Sequence, residues 1–142
     1  MTSFASVVLV DRRGWVLLQE RDEHPVIDPE KWSLVGGHLD GDEDPATGAS
    51  RELAEETGVE MSADELTFWR TFEVFHEAYD STDRIWIYVA GCDLTDEDIV
   101  VGEGRQIVFV APDAVESLDL SETARAAVPG FLTSELYATM TS

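Results

Sequence analysis

Residues 44–58 specify a helix whose start, end and exposed face can all be read from the chain. Asp44 can cap it, Pro45 suits the first helical position because no partner exists there for an N–H, and Gly58 can end it in a left-handed conformation. At about 100° per residue, with Glu52 set at zero, Glu56 falls near +40° and Glu55 near −60°. Three carboxylates therefore share one face roughly 100° wide, while Ala46, Leu53 and Thr57 lie on the side that can pack against a sheet. Like charges at this spacing destabilise a helix by about 0.2–0.5 kcal/mol per pair. They also sit toward the C-terminal end, where the helix dipole disfavours anions. Something positive must offset them. A hard divalent cation such as Mg2+ or Mn2+ takes oxygen ligands and keeps positions for phosphate and water; the plainer alternative is a solvated acidic surface. Arg51 adjoins the cluster and could pair with Glu43 or Glu52. Gly36-Gly37 offers bare backbone, so that a carbonyl and a phosphate can approach closely.

The segments around this helix alternate between strand and helix signals. Residues 4–10 are apolar and β-branched, Arg12-Arg13-Gly14 turns the chain, and residues 15–18 return it as a hairpin. Residues 22–30, with Pro25 and Pro29, read as a loop, and residues 32–35 as a short strand ending at Gly36-Gly37. Residues 69–76 and 84–90 are strands joined through the turn-rich segment 80–83, and residues 107–110 are another. Helical segments are expected at 112–118 and 121–136, the second interrupted by Pro129-Gly130. The chain is thus of α/β class, a mixed sheet covered by helices. No repeat or linker divides it, so residues 1–142 are expected to form one domain, long enough to bury roughly two thirds of its unfolded surface.

Charge limits the partners. Thirty acids against nine bases give a formal charge of −21, which repels nucleic-acid polymers and anionic membranes. Much of this acidity is what a solvated surface from a high-salt or high-GC organism would carry. No apolar run approaches the roughly 18 residues of a membrane span, and the opening residues read as a strand rather than a signal peptide. Cys92 is the only cysteine, so no intramolecular disulfide can form and a reducing, cytoplasmic setting is expected.

The spacing Gly37, five residues, Glu43, seven residues, Arg51-Glu52-Leu53, one residue, Glu55-Glu56, one residue, Gly58-Val59 resembles a complete Nudix box. A chance match at this composition is on the order of one in a hundred thousand. The segments 17–22 and 32–38 are similar to the lead-in of many Nudix hydrolases, and residues 102–110 resemble the later family segment that carries a further glutamate. Val35, Asp40 and Gly48 depart from the usual residues, and none of these changes removes a ligand position. The resemblance implies a Nudix fold, a three-layer α/β/α sandwich around a mixed β-sheet. It implies hydrolysis of a nucleoside diphosphate linked to another group, with Mg2+ or Mn2+. Carried over by position, Glu52, Glu55, Glu56 and Glu103 would be metal ligands or, for one of them, the base that activates water. The Gly36 carbonyl would complete the coordination. Arg51 and Glu43 would brace the loop-helix-loop, with Gly37 and Gly58 in support.

Arg21, His38 and Arg84 are the candidates for substrate contact, each weighed against an ordinary surface or structural role. His24 reads as a loop residue and His76 as the end of a strand. At most one or two of Trp15, Trp32, Trp69, Trp86, Phe4, Phe75 and Tyr79 should stack on a nucleobase, the rest being core; Cys92 reads as a buried small hydrophobe. The proline that marks ADP-ribose hydrolases is absent around Phe72 to Phe75, and the tyrosine of diadenosine polyphosphate hydrolases has no match at the right spacing. The strings of NADH and coenzyme A pyrophosphatases are missing too. Elimination favours a MutT-like hydrolase of nucleoside triphosphates, giving the monophosphate and pyrophosphate, with a nucleotide-sugar hydrolase as the alternative. A non-catalytic nucleotide sensor on the same fold would be expected to have an eroded box. An isopentenyl diphosphate isomerase would need a cysteine before the box, and Cys92 follows it. The small-molecule nucleotide is the expected partner, and a homodimer is left open.

Overall fold

A computed structural model describes residues 2–23, 30–76, 80–102 and 104–142. Its centre is β1 (Ser3–Val10), which is buried on both faces over most of its length, as its nearly continuous apolar sequence requires. Asp11 closes the turn into β2 (Val16–Glu20): its carboxylate accepts from the backbone N–H groups of Arg13 and Trp15, at 2.9 and 3.0 Å, while Gly14 takes a left-handed φ of 83°. This is the expected hairpin.

Residues 32–38 correct the sequence reading. The short strand does not end at the glycines. It breaks at Leu34 into β3 (Trp32–Ser33), paired with β2, and β4 (Val35–His38), which runs antiparallel to β1 with Gly36 opposite Ser6 and Gly37 opposite Ala5. The glycines stay in the ladder because a side chain is what would have excluded them. A Cβ on Gly36 would overlap Ala5 O and lie 2.6 Å from Ser6 Cα.

The helix α1 (Pro45–Thr57) has the predicted limits. The Asp44 carboxylate accepts from Ala46 N–H, and the N–H of left-handed Gly58 returns to Ala54 O. The ribbon β5 (Thr67–His76) and β6 (Ser81–Gly91) follows, then β7 (Gln106–Val110) against β2. Ser81, Thr82 and Asp83 pair with β5 rather than forming the turn assigned to them, so strand pairing overrode three residues with strong turn preferences. β6 runs parallel to β1 from Arg84 to Gly91, which makes the sheet mixed. Among the described residues it has seven strands, with β3-β2-β1-β6-β5 in sequence across it.

Helices cover both faces. Ala5, Val7, Leu9, Leu17 and Val35 meet Ala49 and Leu53 of α1, while Val8, Val10, Val16, Leu18, Ile85 and Ile87 meet the other layer. That second layer contains α2 (Pro112–Val115), α3 (Glu122–Leu132) and α4 (Glu135–Thr141). Here too a prediction fails. Pro129 does not interrupt α3; the break falls at Thr133-Ser134, where Ser134 caps α4. Ala124, Ala127, Val128 and Phe131 are fully buried in one stripe, and this burial holds the helix through a residue that lacks a donor. The first helical segment ends at Val115 rather than near residue 118.

Candidate active site

Leu53 and Thr57 are completely buried against the sheet, which turns the opposite face of α1 toward the glycines of β4. Glu56 is 8% exposed, and its Oε2 accepts the N–H of Gly36 at 2.9 Å. Glu52 lies over Gly37: a Cβ there would stand 2.6 Å from its carboxyl carbon. Glu55 is the most open of the three, with its side chain 57% exposed. The glycine pair therefore does two things. It donates a hydrogen bond to one carboxylate, and it leaves room for the next.

Arg51 holds the loop before the helix. Its Nε and Nη2 donate to Glu43 at 2.9 Å each, and Nη1 donates to Glu52 at 3.0 Å and to Glu55 at 3.2 Å. Nη2 also reaches the His38 carbonyl at 3.0 Å, and Asp40 lies at 3.5 Å. The alternatives left open for Arg51 are thus realised together. The two-point pairing with Arg51, helped by the Asp40 N–H, lowers the Glu43 carboxyl to about 2. The same partnership raises the Arg51 guanidinium further above its ordinary value. Part of the positive charge needed beside the acidic face therefore comes from the chain itself.

The far end of α1 is satisfied by Val100, which sequence reasoning did not single out, and by Gly102, which it noted only as the start of the later family segment. Val100 N–H donates to Thr57 O at 2.9 Å and Gly102 N–H to Glu56 O at 2.8 Å. A Cβ on Gly102 would lie 2.7 Å from Glu55 O. The only available signal was the glycine itself, next to Glu103. Glu103, His24 and Tyr79 lie outside the described residues.

The substrate candidates separate. The Nε of Arg21 is buried with no hydrogen-bond partner among the described residues, an arrangement that costs about 1–3 kcal/mol or more unless something else satisfies it. His38 is exposed, its ring 4.3 Å from that of Phe4. Arg84 pairs with Glu73 at 3.5 Å and donates its backbone N–H to Thr2 O; neither partner belongs to the glutamate helix. Trp69 packs on Phe131, Trp32 joins the same core, and Trp15 lies under the Arg13 guanidinium at 3.6 Å. Cys92 is half-buried, and burial raises its thiol pKa.

An all-oxygen donor set from Glu52, Glu55 and Glu56, beside open backbone at Gly36, fits a hard divalent cation by chemistry. Among the described residues no three acid, imidazole or thiol groups already converge closely enough to hold one. No helix among them is long and apolar enough to cross a membrane.

Residues 2–131 match the family model described as NUDIX domain. A "MutT-like protein" of Streptomyces ambofaciens is 56% identical over 36 residues, 25% of this chain and 23% of that protein, so the match spans under a quarter of the relative's length. The chain is similar to the crystal structure of a MutT protein from Methanosarcina mazei Go1, with a TM-score of 0.75 and 22% identity over 92% of this chain and 91% of that one. It is also similar to a bifunctional NMN adenylyltransferase/ADP ribose pyrophosphatase from Francisella tularensis complexed with AMP and an Mn ion. There the TM-score is 0.71 and the identity 16%, over 92% of this chain and 40% of that one.

Proposed function

The chain belongs to the Nudix family, and on that premise we propose that it is a divalent-metal-dependent pyrophosphohydrolase acting on a nucleoside diphosphate linked to another group. The observation that carries this reading is the placement of Glu56 on the Gly36 N–H with Glu52 beside it over Gly37. Two carboxylates held against bare backbone are suited to share a cation with a phosphate, which they would otherwise repel.

Glu52, Glu55, Glu56 and the Gly36 carbonyl would hold Mg2+ or Mn2+, with Glu103 added on the strength of the family resemblance. When bound, such an ion draws charge from the phosphate oxygens and makes hydroxide available near neutral pH. Arg51 keeps the glutamates and the preceding loop in register. Arg21, whose Nε has no hydrogen-bond partner among the described residues, would offer its guanidinium to a substrate phosphate oxygen. One carboxylate of the set takes the proton of the attacking water as the P–O bond to the leaving phosphate breaks in line, so water is divided between two phosphate products. A nucleoside triphosphate, giving the monophosphate and pyrophosphate, is the preferred substrate class, followed by a nucleotide sugar.

The test is a panel of nucleoside triphosphates, nucleotide sugars and ADP-ribose with Mg2+ or Mn2+, identifying both products. Glu56→Gln should lower turnover at least about a hundredfold with an unchanged circular dichroism spectrum. A near-normal rate in that variant removes Glu56 from its assigned role. Tight nucleotide binding without product from any substrate would instead identify a sensor.

A further inference from the structure

Glu56 is held at two points, and a glycine stands at each. Its carboxylate accepts the Gly36 N–H at 2.9 Å, and its main-chain carbonyl accepts the Gly102 N–H at 2.8 Å. Helix termination alone does not account for the second contact. Gly58 already ends α1 through Ala54 O, and Val100 N–H takes the carbonyl of Thr57. Gly102 also comes closer than capping requires: a Cβ there would stand 2.7 Å from Glu55 O and 3.1 Å from Glu56 Cα. Those are main-chain atoms of the helix and cannot rotate aside as the tip of a side chain can. The φ of Gly102 is not left-handed, so the missing side chain serves the close approach and not a turn.

The segment that presents Gly102 is anchored independently of α1. Asp96 Oδ1 accepts the Phe109 N–H of β7 at 2.8 Å, Ile99 is buried in the same core as Ala49 and Leu53, and Arg105 N–H donates to Glu20 O at 2.8 Å. Residues on both sides of Gly102 are thus fixed to the sheet, and the last turn of α1 rests against them. We propose, resting on the reading of Glu55 and Glu56 as metal ligands, that Gly102 is a positioning residue for the cation. It sets the last turn of α1 against Gly36, and with that turn the carboxylates that would share the ion. Groups that orient ligands without touching the metal commonly change its affinity about 10–100-fold when altered. Gly102→Ala forces the last turn to move, and the Glu56 carboxylate then leaves the place in which the Gly36 N–H holds it.

Mn2+ titration of the full chain without substrate, followed by the electron paramagnetic resonance of the free ion, tests this apart from turnover. The relevant site is the one that Glu56→Gln removes. Gly102→Ala should bind Mn2+ there about 10–100-fold more weakly per folded molecule. Gly91→Ala, at an exposed glycine where a Cβ meets nothing within 4 Å, should bind it as the unaltered chain does. Phe131→Ala separates positioning from stability, since it should lower the unfolding midpoint and leave the Mn2+ affinity of the folded fraction unchanged. Should Gly102→Ala fail to fold, Asp96→Ala, which frees the segment from β7 without touching α1, should weaken Mn2+ binding in the same direction. Unaltered affinity in Gly102→Ala, or in Asp96→Ala where only that variant folds, overturns the proposal and leaves the metal reading intact. Absence of any Mn2+ site sensitive to Glu56→Gln overturns the metal reading, and the proposal with it.

Discussion

Arg51 carries more of the site than any other single residue. One guanidinium engages Glu43, Glu52, Glu55 and the His38 carbonyl, which only a planar, multi-donor group can do. Its effect on Glu43 has a defined pH dependence. The folded carboxyl sits at about 2, below its ordinary 4.5, so the unfolded chain takes up this proton first as the solution is acidified. The pairing contributes stability in full above pH 4.5 and loses it between 4.5 and 2. Glu43→Gln should flatten that part of the acid-unfolding curve, as measured by denaturant midpoints across the interval; an unchanged slope would contradict it. Arg21 makes a different prediction. Because its Nε has no hydrogen-bond partner among the described residues, Arg21→Ala should raise KM by at least about tenfold with a smaller change in kcat and no loss of stability. A destabilised variant with normal KM would identify a structural arginine. The carboxylates and Arg51 were legible in the sequence because the box records residue types at helical spacing. The burial of the Arg21 Nε was not, since it depends on neighbours distant in the chain.

At the scale of elements, α1 is the case where local rules sufficed. Cap, N1 proline and left-handed glycine all fall where they were expected, and Asp44→Ala should cost about 1 kcal/mol, read as a shift in the unfolding midpoint. Elsewhere tertiary contacts prevailed. Pro129 weakens α3, yet the buried stripe from Ala124 to Phe131 is worth more than the lost hydrogen bond and clash of about 3 kcal/mol. Pro129→Ala should accordingly stabilise the protein by on the order of 1 kcal/mol, the gain being reduced by the greater freedom of the unfolded chain. A loss of stability would mean that the proline geometry is itself required. Gly36 and Gly37 read as a terminus because glycine weakens strands in general. They proved to be the residues that let β4 lie against both β1 and the glutamates.

For the whole molecule, two cores separated by one sheet carry the fold, and Phe131, fully buried among Trp69 and Tyr137, closes the layer opposite α1. Phe131→Ala should cost about 3–5 kcal/mol in chemical denaturation. Because α1 is on the other face, the Glu56–Gly36 contact should survive in the folded fraction, giving near-normal turnover per folded molecule. The sequence alone determined the class of fold, the limits of α1 and the set of acidic side chains on its outer face. It could do so because helix caps, periodicity and the family motif are recorded within a few consecutive residues. Only the tertiary structure decided that β4 leaves β3 to pair with β1 and that residues 100–102 close the end of α1. Each of these depends on backbone groups brought together from far along the chain, and hydrogen bonds of that kind leave no periodic trace in the order of amino acids.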